Sequence, residues 1–143
     1  MNPTTHESIT DIINRLFVFT DQHDWTGLQS EVFTPDVDFD MTSMGGENKK
    51  MTSKVICETW EEGFKDIDVS NHLAGNYLIK VQNDSAFVEA YATATHYKKA
   101  AKEGQTRQFV GTYEIRLDRV QDDWRISAFR YSLLFATGNL QLI

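Results

Sequence analysis

The chain changes character after Asp68, and that switch limits the possible fold more than any other feature. Before it, apolar residues recur at helical spacing. Thr4 and Glu7 fit a capping box, and Ile9, Ile12, Ile13, Leu16 and Phe17 follow as one stripe, which predicts an amphipathic helix over 5–21. Asp24 is placed to cap a second, short helix carrying Trp25, Leu28 and Val32, with Pro35 ending it. Residues 36–42 (DVDFDMT) alternate polar and apolar, as a strand does, and Met44 to Asn48 reads as a loop. Thr52 or Ser53 caps a third helix, with Val55, Ile56, Trp60 and Phe64 as its buried stripe. After Asp68, residues 71–82 and 85–99 are rich in β-branched and aromatic residues, and Asn83-Asp84 between them signals a hairpin turn. Lys98 to Arg107 (KKAAKEGQTR) is a polar connection. Residues 107–120 and 124–136 form a second long hairpin, turning at Gln121-Asp122-Asp123.

Helices followed by strands argue for an α+β fold. No internal repeat, linker or low-complexity run divides the 143 residues, so one domain over 1–143 is expected. Long antiparallel strands twist and coil. The expectation is therefore a cone-shaped, strongly curved antiparallel sheet closed by three N-terminal helices. Its apolar interior would suit a small-molecule pocket.

Charge and cysteine content narrow the function. The net charge of −7 disfavours nucleic acid as a partner, because phosphate contact needs a basic surface. The surplus is local: residues 1–48 hold nine acids and one base, Arg15. The lone Cys57 can form neither an internal disulfide nor a cysteine-based zinc site. The N-terminal stretch MNPTTHESIT lacks a basic region followed by an apolar run, and no stretch approaches membrane-spanning length. A cytoplasmic protein without a membrane partner is expected.

Two of the four histidines draw attention. With a turn near Asp84, residues facing each other across the first hairpin have numbers summing to about 167 or 168. His72 and His96 should then lie opposite or nearly so, sharing a sheet face with Cβ atoms roughly 4.5–5.5 Å apart. A bulge would alter this register, since one extra residue flips parity. The face of His96 continues through Ala94, Ala92, Ala90 and Val88, small residues that leave space above the sheet. The other face carries Phe87, Tyr91 and Tyr97. A single strand histidine is ordinarily satisfied by a carbonyl or by water; an opposed pair beside open space points to a ligand. His6 and His23 sit at helix ends in polar surroundings and read as surface residues.

The order of several short segments then resembles a known family. These are Asp21-Gln22-His23-Asp24-Trp25, Val37-Asp38-Phe39-Asp40, Asn71-His72-Leu73-Ala74-Gly75-Asn76, Ala92 to His96, and Asp123-Trp124-Arg125-Ile126. Together they resemble the SnoaL-like branch of the NTF2-like superfamily (cystatin-like fold), which includes scytalone dehydratase and polyketide cyclases. The resemblance runs from about residue 5 to 138. It implies a cone of sheet closed by three helices, assembled as a homodimer or homotrimer. It also implies a lyase or isomerase acting without cofactor or metal on a hydroxylated or keto cyclic compound.

Position by position, the dehydratase pattern implies a catalytic set of Asp21, His72 and His96. Asp21 would fix the tautomer of His96 and raise its basicity, and His72 would be the complementary acid or base. Where such dehydratases place two tyrosines this chain has approximately Thr20 and Met41, and where they place two small polar contacts it has Gly111 and Tyr113. Scytalone itself is therefore not the expected substrate. Tyr113 or Tyr131 could supply a replacement hydroxyl, with Met41 on the substrate wall; both tyrosines also suit a core position with a wet tip. Two histidines and an aspartate could form a facial metal triad, but no HExxH or cysteine ligands accompany them. Lys98, Lys99, Lys102 and Arg107 read as a solvated basic loop, or as an attractor for an anionic substrate tail. Two other readings fit the same scaffold: a non-catalytic ligand-binding or assembly module, and a protein like the small β subunit of a ring-hydroxylating dioxygenase.

Overall fold

In a computed structural model describing residues 2–143, helix α1 (Thr5–Asp21) begins at the capping box: the Thr4 hydroxyl accepts from the Glu7 amide and the Glu7 carboxylate from the Thr4 amide. Asp24 caps a single α turn, α2 (Trp25–Gly27), which runs on as a π-helical turn over Leu28–Val32. Strand β1 (Phe33–Asp40) follows at once. Pro35 therefore lies inside a strand and does not end the helix. It sits in the irregular stretch between the Phe33 and Asp38 pairings, where its missing N–H costs no ladder bond.

A short strand, β2 (Asn48–Thr52), begins at the last residue of the expected loop and is not predicted by the pattern; its mostly exposed residues (Asn-Lys-Lys-Met-Thr) carry no apolar alternation to announce it. Helix α3 (Ser53–Phe64) is capped by Thr52. It buries Ile56 and Cys57, while Val55 is exposed. Four long strands complete the chain: β3 (Val69–Gln82), β4 (Ser85–Tyr97), β5 (Thr106–Val120) and β6 (Asp123–Gly138).

The sheet corrects one expectation. It is mixed, in the order β2-β1-β6-β5-β4-β3, because β1 runs parallel to β6 while every other pairing is antiparallel. Strands β2 and β3 are its free edges, so it does not close on itself, and it is not the strongly curved cone expected. The physical reason lies in the connection. The chain leaves β1 through β2 and α3 and then builds the four-strand meander outward-in, so that β6 returns beside β1 in the same direction.

The helices still cover one face. Ile9, Ile13, Leu16 and Phe17 of α1 and Ile56 of α3 meet Val88, Ile115, Leu117, Ile126 and Phe129 of the sheet in one buried cluster. Each such side chain contributes roughly 1.5–3 kcal/mol by leaving water. The opposite face is open and carries Leu73, Leu78, Phe87 and Tyr91 as exposed side chains. No helix among the described residues is long and apolar enough to cross a membrane.

Candidate functional site

A cavity of about 330 Å³ lies between the helices and the covered sheet face. Its walls are largely apolar: Phe17 of α1, Met41, Trp60 and Phe64, and Phe109 and Phe129 from the sheet. His72, His96, Tyr113 and Tyr131 reach into it, as does Arg107. Met41 is thus a wall residue, as are Thr20 and the alanines Ala92 and Ala94 that leave the space open. Asp21 does not line the cavity; it stands behind His72.

The register that brings the two histidines together depends on one extra residue. Near the turn, pairs such as Val81 with Ala86 and Leu78 with Glu89 set the count; beyond Gly75 it has slipped by one, and His72 faces Ala94 while His96 faces Ser70. Asn76, at φ +56°, and Tyr77 form the bulge opposite Ala90. Without it His72 would pair with Thr95 and point to the other face. With it, both rings share the inner face, offset by one diagonal step and not directly opposed. Their centroids are 6.5 Å apart. The bulge expected to endanger the site creates it.

Asp21 is the last residue of α1, where the helix dipole disfavours an acid and the final turn holds no base. Three hydrogen bonds compensate. Its Oδ2 accepts the His72 amide at 2.8 Å, and its Oδ1 accepts the Ser70 hydroxyl at 3.2 Å and pairs with His72 Nδ1 at 2.6 Å. That amide is free to donate because β3 is an edge strand. This is a second correction: the aspartate partners His72, not His96. The reason is again register, since the C-terminal end of α1 abuts the edge strand and His96 lies one strand inward.

His96 has a different partner. Arg107, the second residue of β5, lies directly across from it, and the guanidinium Nε donates to His96 Nδ1 at 3.0 Å while Nη1 donates to the Leu140 carbonyl at 2.7 Å. The ring is 8% exposed, and Phe64 and Phe109 pack against it. Burial first, then the Arg107 charge and then His72, hold its pKa down at about 4, against a weaker opposing pull from Asp21. Its Nε2 is buried without a hydrogen-bond partner, and so is the Tyr131 hydroxyl. Such orphaned groups are costly in a closed protein and point to a ligand that completes them. Burial also pushes the phenols of Tyr113 and Tyr131 up, so both present O–H groups at neutral pH.

Reading the sequence placed Arg107 in a basic loop, solvated or attracting an anionic substrate tail, and missed it as the partner of His96. The signal was there: only the eight residues 98–105 join two long strands, so the start of the second strand, with Arg107, falls back beside His96. Lys99 and Lys102 of that segment are exposed, and His6 and His23 are exposed as expected, His23 stacking on Trp25. Cys57 is 1% exposed, and burial pushes its thiol up to about 11, which leaves it no nucleophile at neutral pH. Among the described residues no three His, Cys, Asp or Glu side chains are grouped to hold a metal ion.

Gly111 belongs to the site through what it lacks. A Cβ there would collide with the Cζ and hydroxyl end of the Tyr131 ring. Gly111→Ala is expected to push that hydroxyl off its position and to destabilise the fold by about 1–3 kcal/mol through overpacking. Urea denaturation measures the cost, and a crystal structure of the variant locates the ring.

The SnoaL-like domain family profile matches residues 4–130. No curated protein matches the chain. Solved structures do. Kfla4162 of Kribbella flavida superposes with a TM-score of 0.88 at 21% identity, over 94% of this chain and 93% of that one. A Novosphingobium aromaticivorans protein provisionally named a scytalone dehydratase gives 0.77 at 18% identity, over 91% and 84%. Hexachlorocyclohexane dehydrochlorinase LinA-type3 of Novosphingobium barchaimii gives 0.77 at 12% identity, over 94% and 89%. At these identities the likeness is one of fold.

Proposed function

Because the chain belongs to the SnoaL-like family, whose fold it shares with dehydratase- and cyclase-like enzymes, we propose that it is a small-molecule lyase or isomerase whose first step is removal of a carbon-bound proton by His72. The observation that carries this reading is the Asp21–His72 pair at the cavity wall. The Asp21 carboxylate accepts the hydrogen bond of the His72 Nδ1–H. The neutral ring therefore keeps its lone pair on Nε2, the nitrogen left to meet a substrate. His96, on the same face, is the polar partner at the other side of the substrate.

The cavity favours a compact ligand. Its volume is at the small end of the range for ligand pockets, and aromatic rings form much of its wall, which suits one or two fused rings. Such a compound, bearing a keto group with a hydrogen on the adjacent carbon, would lose that proton to His72. The resulting enolate then either expels a β-hydroxyl, which leaves as water with the proton His72 gives back, or takes that proton back at another carbon, as in an isomerisation.

The test does not require the natural substrate. 2-Tetralone, a two-ring ketone, is incubated with the protein in D2O and deuterium uptake at its α-carbon is followed by NMR. Enzyme-dependent exchange, suppressed by 2-naphthol as a mimic of the enolate, is the expected result. Tight binding of 2-naphthol with no exchange of 2-tetralone would instead support a non-catalytic ligand-binding module.

A further inference from the structure

His72 and His96 look alike in the sequence, but what stands behind each ring makes them opposites. Asp21 offers His72 only an acceptor. Arg107 offers His96 only a donor, because a guanidinium carries N–H groups and no lone pair available for hydrogen bonding. His96 Nδ1 must therefore be the accepting nitrogen. The single proton of the neutral ring is then on Nε2, and a second proton on Nδ1 would be set against the Arg107 N–H. Arg107 is itself tied down by the Leu140 carbonyl and by its place opposite His96 on β5. The Nε2–H that results is buried at the cavity and lacks an acceptor.

We infer that Arg107 is a positioning residue that fixes His96 as a neutral, Nε2-protonated hydrogen-bond donor, and that this donor receives the substrate's carbonyl oxygen as it becomes an enolate. The second half rests on the reading of His72 as the base. In that step His72 Nε2 takes the α-proton, the C–H electron pair becomes the new C=C bond, and the carbonyl π pair moves onto oxygen. The enolate oxygen accepts the His96 Nε2–H hydrogen bond, and His96 keeps its proton throughout. Neutral imidazole is suited to this, since it polarises a carbonyl without giving up a proton. The ligand class follows: a cyclic compound whose acidic carbon is bonded to the carbon that carries the acceptor oxygen. The groups facing His96 are Arg107 from β5, His72 from β3 with Asp21 behind it, Phe64 from α3 and Phe109 from β5. Acid uptake by the ring is opposed from both flanking strands.

Protein labelled with 15N-histidine reports each ring's tautomer in long-range 1H–15N spectra. His96 is expected to show a protonated Nε2 and an unprotonated Nδ1 throughout the range from about pH 5 to pH 8, where an unperturbed histidine would titrate. In Arg107→Met the two nitrogen shifts are expected to move toward each other as the tautomers interconvert. A wild-type His96 protonated on Nδ1 overturns the inference, and needs no variant to fold. So does an Arg107→Met spectrum identical to wild type. Ligand binding gives an independent readout. Arg107→Met is expected to bind 2-naphthol about tenfold more weakly, with naphthalene, which has no oxygen, unaffected. Equal loss for both ligands would reduce Arg107 to shaping the cavity and overturn its positioning role. Failure of 2-tetralone exchange with the His96 tautomer intact would count against His72 as base and leave the Arg107–His96 assignment standing.

Discussion

Asp21→Asn is expected to slow deuterium exchange of 2-tetralone by about 10²- to 10⁴-fold, the contribution usual for a positioned general base. Two of the three groups that Asp21 serves belong to His72, and they explain why so small a change should have so large an effect. One carboxylate oxygen accepts the backbone N–H of His72, which can only donate, and the other faces His72 Nδ1. An asparagine has one oxygen and one NH2 to offer. The backbone N–H claims the oxygen, so the NH2 must face the ring and Nδ1 must become an acceptor. The proton of the neutral ring then moves to Nε2, and the lone pair that would meet the substrate is lost. A wrong tautomer of this kind disables a base without disturbing its position. Removing an acid from the C-terminal end of α1 also relieves an unfavourable interaction with the helix dipole, so the variant should fold. The same 15N-histidine spectrum separates the causes: His72 should change from Nδ1–H in the wild type to Nε2–H in the variant. Unchanged exchange with a reversed tautomer would show that His72 is not the base.

This sensitivity to partners explains what could be read from the sequence and what could not. The capping box, the helix stripes and both hairpin turns are local chemistry, and α1 spans Thr5–Asp21, the residues its pattern predicts. His72 and His96 do reach one cavity, because strand parity places side chains on a face, and Asp21 at the end of α1 stands behind His72. Which histidine the aspartate reaches is not a local property. It depends on the bulge at Asn76-Tyr77 and on where the end of α1 lands along an edge strand. Arg107 escaped because the mostly polar stretch from Lys98 looks like a solvated loop until the return of β5 beside β4 is known. The parallel pairing of β1 with β6, which makes the sheet mixed, joins residues some ninety positions apart and leaves no mark in either strand's own pattern. Short-range signals settle elements and faces; the contacts that assign chemical roles are long-range.

Acidification should weaken the fold through His96 in a defined window. The ring's pKa in the folded protein is about 4, below its ordinary value of 6.5. Between those values the unfolded chain binds a proton that the folded chain refuses. The stability contributed by keeping the ring neutral is therefore complete above about pH 6.5 and is lost as pH falls toward 4, up to about 3 kcal/mol in all. Asp40 and Asp118 are also held below their ordinary carboxylate value of 3.8, so their losses begin at lower pH and leave this window to histidine. Urea midpoints of wild type and His96→Gln, measured at about pH 7 and again near pH 4.5, should show the wild type losing more stability than the variant. Parallel losses would mean that His96 accepts a proton readily inside the fold. Arg107 would then not be holding it neutral, and the Nε2–H donor proposed for the substrate oxygen would become an imidazolium, free to give its proton away.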